Sequence, residues 1–356
     1  MLKFRSNLKV KEWNILRNFL KKNMRNDHPI INKKFFFWQF KVKKRINVFS
    51  LMYKKKIICI MGYVNLPMKF DIYKKIKSKW LLYWLADKKN SVGSGFYLLK
   101  KIEENNKFLF TVNASKIGKQ FYNKSGWKGI DEINRNFIIF NVDKTKKLLM
   151  NKSYRKNISD FSLDKNSISN SYVLNSLDII KYAPNWKNFL YMKNSVIRSR
   201  QFLKWRYLDH PYFKYIISYE GNYKEPSVCV FRIEDYFGKF NGRIARIVDF
   251  FFPITKQGKK NAKKLLKNTF IYLKKINCEM VDYYSNLDIN SKIFNSFSVS
   301  KKNFYKDIFI ARFSPIKFEN FNVNFCLKTP NLKQINVKNI YISKSDLDGD
   351  APVRLT

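Results

Sequence analysis

The residues best suited to chemistry lie around Asn90-Ser91-Val92-Gly93-Ser94-Gly95, which joins an apolar run, Trp80–Ala86, to a stretch with helical spacing at Phe96, Leu98, Leu99 and Ile102. Trp80–Ala86 has the composition of a buried strand. The helix turns Lys100, Lys101 and Glu103 toward water. Two glycines at a strand-to-helix turn let the backbone approach a ligand with no Cβ in the way. The first turn of the helix then offers unpaired N–H groups and a positive dipole end, which suits a phosphate. A purely structural glycine turn fits the same residues. The glycine spacing is not that of a dinucleotide fingerprint, and no Gly-Lys-Ser/Thr follows, so a P-loop is excluded. Three further side chains are candidates: Tyr122, a phenol that stays protonated at neutral pH; His28, at the end of the first predicted helix; and Asp87, just past the strand, as a base. A core aromatic and two polar turn residues are their plainer alternatives. With two histidines in the chain, most hydrolase constellations are out. The four cysteines are far apart and include no Cys-x-x-Cys pair, which argues against zinc or a disulfide framework and fits a reducing cytoplasm.

Several elements must hold these residues in place. Between Lys9 and Lys22, Trp13, Leu16, Phe19 and Leu20 fall on one helical face, and Asp27-His28-Pro29 ends that helix. Phe35–Phe40 is an aromatic run. Val48–Tyr53 and Lys56–Val64 read as a hairpin around Lys54-Lys55, Phe108–Val112 as a second core strand, and Asn136–Val142 as the strand that closes the unit.

The loop resembles the pyrophosphate loop of the GNAT superfamily of acyl-coenzyme A N-acyltransferases, whose pattern is Arg/Gln-x-x-Gly-x-Gly/Ala after the central strand. Asn90, Gly93 and Gly95 occupy the specified positions, and Asn90 departs from Arg or Gln. A second family pattern, small-x-x-Leu/Phe-Tyr-x-x-x-Gly-Phe, is similar to Gly118, Phe121, Tyr122, Gly126 and Trp127, with Trp for Phe; Ser115 stands where an Asn is usual. The resemblance implies an α/β (α+β) fold with a mixed, mostly antiparallel sheet flanked by helices. It implies acetyl-CoA or another acyl-CoA as co-substrate, held by Ala86, Asn90, Ser91, Val92, Gly93, Ser94 and Gly95, with no metal. By family position Tyr122 protonates the departing thiolate, and backbone N–H groups beside the central strand hold the oxyanion. The first helix would flank the acceptor cleft, which brings His28 near it.

The second half repeats the order. Phe202–Tyr207 echoes Phe35–Phe40, then come a hairpin at Tyr215–Tyr219 and Val228–Ile233, a strand at Ile244–Phe252, a helix at Lys259–Lys275, and Met280–Tyr284, Ser291–Phe297 and Ile308–Phe313. The phosphate loop is not kept around Gly258. Two tandem GNAT-like domains are therefore expected, at 1–142 and 185–315, with a linker over 143–184 and a tail over 316–356. The tail Ser345-Asp346-Leu347-Asp348-Gly349-Asp350 ends too soon for an EF-hand. It resembles tails of GNAT-type proteins of surface-polysaccharide synthesis, which implies an amine acceptor on a nucleotide-linked amino sugar. The net charge of +45 is a diffuse lysine coat that attracts phosphate-bearing ligands without marking a specific nucleic-acid site. No stretch is long and apolar enough for a spanning helix, and no signal peptide is evident. A cytoplasmic N-acyltransferase leads. A Fem-type aminoacyl-tRNA-dependent ligase and a non-catalytic lysine-rich binding protein are the alternatives.

Overall fold

A computed structural model of the chain describes residues 2–71, 73–87, 93–148, 162–164, 175–176, 194–236, 241–299, 323–330 and 332–346. The chain divides into two compact units. The first is Met1–Asp131 with Asn324–Val337 and Ala351–Thr356, and the second is Glu132–Val323 with Lys338–Asp350.

In the first unit, α1 (Trp13–Asn23) buries Trp13, Leu16, Phe19 and Leu20, as their spacing requires, and Met24 beyond it is extended. The aromatic run is also helical. Asn32 accepts from the N–H groups of Lys34 and Phe35, and α2 (Lys33–Phe40) follows from that cap. The strands are β1 (Leu2–Arg5), β2 (Val48–Tyr53), β3 (Lys56–Phe70), β4 (Tyr73–Ala86), β5 (Leu109–Val112) and β6 (Lys128–Ile130). They lie in the order β1-β2-β3-β4-β5, followed by the distant segment Phe325–Lys328 and then β6. The β2–β3 turn uses Lys54 and Lys55 at φ 45° and 64°, the left-handed pair that a two-residue hairpin needs. The central strand begins at Tyr73, earlier than the apolar run suggests, because Lys77 and Lys79 alternate with buried Ser78 and Trp80 against β3.

Between β4 and β5 the chain crosses through α3 (Ser94–Asn105), which makes these two strands parallel. With α4 (Lys116–Lys124), α3 covers one sheet face, where Leu98, Leu99, Ile102, Tyr122 and Trp127 pack on Phe49, Met61 and Leu81. The opposite face receives α2, whose Phe40 ring lies over Gly62. Glu103 does not turn to water as its position suggests: its carboxylate accepts the Trp127 indole N–H at 2.7 Å.

The second unit holds β7 (Arg135–Ile139), β8 (Ile216–Glu220), β9 (Ser227–Tyr236), β10 (Gly242–Phe251) and β11 (Met280–Tyr284), in the order β7-β11-β10-β9-β8 with Asn175–Ser176 beyond β8. Its core packs α5 (Lys256–Lys275) and α6 (Asp288–Asn295) on Phe231, Ile247, Val281 and Tyr283. The Phe202–Tyr207 run is helical too: Ser199 caps Arg200–Leu203, and the helix continues through Lys204–Leu208.

Asn136–Val142 was expected to close the first sheet. Instead, β7 pairs antiparallel with β11 in the second, and Phe325–Lys328 takes the place beside β5. A short apolar strand fits either sheet, so polar partners decide. Arg135 reaches Asp282 at 2.6 Å and Asn136 donates to Ser291 at 3.2 Å. Within the expected linker, Val142–Leu148 is helical. Ile308–Phe313 and Leu347–Asp350 lie outside the described residues. No helix among those described is long and apolar enough to cross a membrane.

Candidate active site

Beyond a short shared stretch, the two parallel central strands of the first unit part company. They pair at Lys79↔Leu109 and Trp80↔Phe110, and the Thr111 hydroxyl donates to the Leu81 carbonyl at 3.0 Å. On its other edge β4 stays paired with β3, but the register slips between Ile60↔Leu85 and Gly62↔Leu82, which leaves a bulge at Tyr83–Trp84. Tyr83 sits at φ 50°, a left-handed conformation that a bulky residue rarely takes. Bulge and splay together interrupt the regular ladder of the central strand on the β5 side. Strain at such a point is a mark of functional sites.

The head of α3 closes the wide end of the splay. Gly93 takes φ +77°, and a Cβ built there would meet nothing within 4 Å, so the space over it is open. The N-cap residue, Gly93, has no side chain to offer the first N–H groups of the helix, which stand at the dipole's positive end. Gly95 is glycine for another reason: its Cβ would stand 3.2 Å from Trp84 Nε1. Beneath lies Cys59, whose thiol is pushed up to about 12 by burial. Such a thiol is inert. Ala86, Gly93, Ser94 and Gly95 are thus placed at one end of the central strand. Asn90, Ser91 and Val92 lie outside the described residues.

The second sequence pattern has a local physical cause. Gly126 N–H bonds to the Asn123 carbonyl at 2.9 Å and Trp127 N–H to that of Tyr122 at 3.1 Å, a Schellman ending of α4 with Gly126 at φ +77°. The hydrophobic contact of that motif is Trp127 on Tyr122, ring centroids 4.4 Å apart. Ser115 opens the same helix by accepting from Gly118 N–H at 3.1 Å. The pattern therefore places Tyr122 rigidly. Its hydroxyl hydrogen-bonds the Thr111 side chain, at the closed end of the splay, and burial pushes its pKa well above that of an ordinary phenol. It holds its proton.

His28 and Asp87 arrive from the opposite side. The His28 ring stands edge-on to Tyr83 at 5.9 Å. Its Nδ1 accepts from Ile30 N–H at 3.2 Å, which in the neutral ring leaves the hydrogen on Nε2. The Asp87 carboxylate is buried and takes Lys22 of α1 at 2.7 Å. The structure joins His28 to Tyr83, Asp87 to Lys22 and Tyr122 to Trp84, three pairs on one strand end. Lys22 and Trp84 were missed in the sequence, where nothing marks a lysine or a core tryptophan as partner to a strand end. A cavity of about 690 Å³ opens at the far end of β4, by Leu66, Lys77, Lys79 and Phe108.

In the second unit the corresponding splay is filled. β10 and β11 pair in parallel only from Ile244↔Met280 to Ile247↔Tyr283, and a register slip in β10 follows. The strand end beyond it is taken up by Tyr341, whose hydroxyl accepts from Phe250 N–H at 3.0 Å and donates to Asp249 at 2.7 Å. Asn290 donates to the Phe250 carbonyl at 2.7 Å. Arg198 locks the same segment through Asp249 at 3.0 Å and Asp346 at 2.7 Å. Burial alone would lower the arginine's pKa, but the two carboxylates raise it well above the ordinary value. The tail residues Tyr341, Ser345 and Asp346 thus serve the fold, and no group of His, Cys, Asp or Glu among the described residues could hold a metal.

Solved structures share this architecture. The N-myristoyltransferase of Saccharomyces cerevisiae with bound myristoyl-CoA matches over 99% of this chain and 89% of its own, at a TM-score of 0.56 and 11% identity. A GCN5-related N-acetyltransferase from Anabaena variabilis matches over 80% of this chain and 66% of its own, at 0.52 and 12%. The fold is that of the N-acyltransferases. No family model and no curated protein matches the sequence.

Proposed function

We propose that the chain is an acyl-CoA-dependent N-acyltransferase of tandem, duplicated GNAT type, with a single acyl-CoA site in the first unit. One observation carries this: an open splay and bulge in β4 lead straight to an uncapped helix start over which Gly93 leaves free space. The second unit supports it by contrast, because Tyr341 fills the equivalent splay. Acyl-CoA phosphates would sit at the head of α3, against Ser94 and Gly95, and Asn90, Ser91 and Val92 would complete the loop.

The thioester arrives already activated, so this chain supplies position, polarity and protons. Backbone N–H groups beside the Tyr83 bulge hold the oxyanion as the amine adds to the carbonyl carbon. Asp87, or water beside it, accepts the amine's proton, and Lys22 sets the orientation of that carboxylate. His28 donates through Nε2 to the acceptor. Tyr122 gives its proton to the sulfur as the C–S bond breaks, and the amine's proton is passed on to restore it. The acceptor is a small-molecule amine. The charge of +45 favours one on an anionic carrier, such as a nucleotide-linked amino sugar, and a cytoplasmic setting supplies both substrates.

Titration calorimetry with acetyl-CoA tests the assignment. Gly93→Val puts a β-branched residue at φ +77° and fills the free space, so binding should fall by at least about tenfold, the loss of one good phosphate contact. Undiminished affinity in a folded Gly93→Val variant rejects the site.

A further inference from the structure

The closed end of the splay limits what can be attached to the thioester. An acyl-CoA whose phosphates sit at the head of α3 must run its arm along the free edge of β4, from Ala86 back to Tyr83. That is roughly 10 Å at about 3.3 Å per residue. The thioester then lies at the bulge, and the acyl group points on toward Trp80↔Phe110, where the strands meet.

That end is packed. Thr111, Tyr122 and Trp127 are 6%, 3% and 4% exposed. The Trp84 ring lies 5.5 Å from Tyr122 and 5.8 Å from Phe121. Both helices touch its edges: a Cβ on Gly95 would stand 3.2 Å from Nε1, tighter than ordinary contact, and one on Gly118 would reach Cε3 at 4.0 Å. Glycine at position 95 gives the indole its slot. Trp84 is only half-buried, so its ring lines the splay beside Tyr122.

Resting on the acyltransferase assignment above, we propose that Trp84 sets the acyl-length limit of this protein, which therefore takes a short-chain acyl-CoA such as acetyl-CoA and not a fatty acyl-CoA. A methyl group fits beside the bulge, and each further methylene must displace the indole from between two helices. The yeast structure of this fold holds myristoyl-CoA, so chain length is a variable that the fold leaves to individual side chains.

The test is calorimetric binding of CoA, acetyl-CoA, butyryl-CoA and octanoyl-CoA to the full chain and to its Trp84→Ala and Trp84→Phe variants. One methylene too many in a closed apolar pocket is worth about 10–200-fold. Acetyl-CoA should therefore bind at least about tenfold tighter than octanoyl-CoA. Trp84→Ala should close most of that gap and Trp84→Phe part of it, with affinity for CoA itself retained. Equal binding of octanoyl- and acetyl-CoA by the unaltered protein overturns the proposal, as does an unchanged gap in Trp84→Ala. If Trp84→Ala does not fold, the smaller Trp84→Phe change and the unaltered protein's own profile decide. Failure of all four ligands to bind the unaltered protein removes the acyltransferase assignment itself, and this inference with it.

Discussion

Tyr122→Phe separates chemistry from packing at one residue. The ring keeps its place, because the Schellman geometry belongs to the backbone and the 4.4 Å contact with Trp127 involves carbon atoms. What disappears is one hydroxyl and its bond to Thr111. A neutral hydrogen bond is worth about 1 kcal/mol net, so stability should fall only by that much. Tyr122→Ala, by comparison, opens a cavity in the core and should cost about 3–5 kcal/mol. If Tyr122 protonates the leaving sulfur, kcat should drop by about 10²–10⁴-fold in the Phe variant, with acetyl-CoA affinity nearly unchanged. Thiol release from acetyl-CoA, with an amine that supports turnover, measures the first and calorimetry the second. The pH profile adds a check. The folded phenol lies above the ordinary value of 10.0, so the acid stays protonated and its limb should be absent below pH 10. A Phe variant with full kcat would refute the role and leave Tyr122 as the packed end of α4.

Two further outcomes follow from buried charge and buried thiols. Asp282 loses solvation on burial, but Lys344, Arg246 and Arg135 outweigh that and hold its carboxyl below the ordinary value of 3.8. Its folded pKa is depressed, so its stabilisation is present above pH 3.8 and is lost as pH falls through the folded value. Asp282→Asn should cost about 3–5 kcal/mol at pH 7 by leaving arginines buried without their partner, and denaturant melts against pH measure both effects. A melt within about 1 kcal/mol of the parent would show that the arginines find water. Burial pushes Cys59 and Cys278 up to about 12 and Cys326 up to about 11, and Cys229 higher still. At pH 8 the native thiols should react with iodoacetamide on the order of 10³-fold slower than ordinary ones near pKa 8.5. Guanidinium should release all four cysteines, and fast labelling of the native chain would contradict their burial.

Where the signal was local, the sequence was legible. Trp13, Leu16, Phe19 and Leu20 specify α1 by spacing alone, and Lys54-Lys55 between two apolar runs specifies a hairpin. Gly118, Phe121, Tyr122, Gly126 and Trp127 describe a helix from its cap to its Schellman end, which is why that pattern reads without any partner strand. Gly93 announces a left-handed turn, since few other residues tolerate φ +77°.

Pairing across the chain was another matter. Nothing in Phe137-Ile138-Ile139 says which sheet it joins, because apolar alternation carries no address; Asp282 and Ser291, far down the chain, supply it. The alignment of Trp84 between Gly95 and Gly118, of Lys22 with Asp87, and of Tyr341 with the end of β10 likewise depends on distances that no spacing rule contains. The sequence by itself determined the face of α1 and the turn chemistry, and it named candidates for binding a phosphate or giving a proton. Tertiary structure alone decided which splay stays open and which the tail fills, because that choice rests on side chains meeting from segments some ninety residues apart.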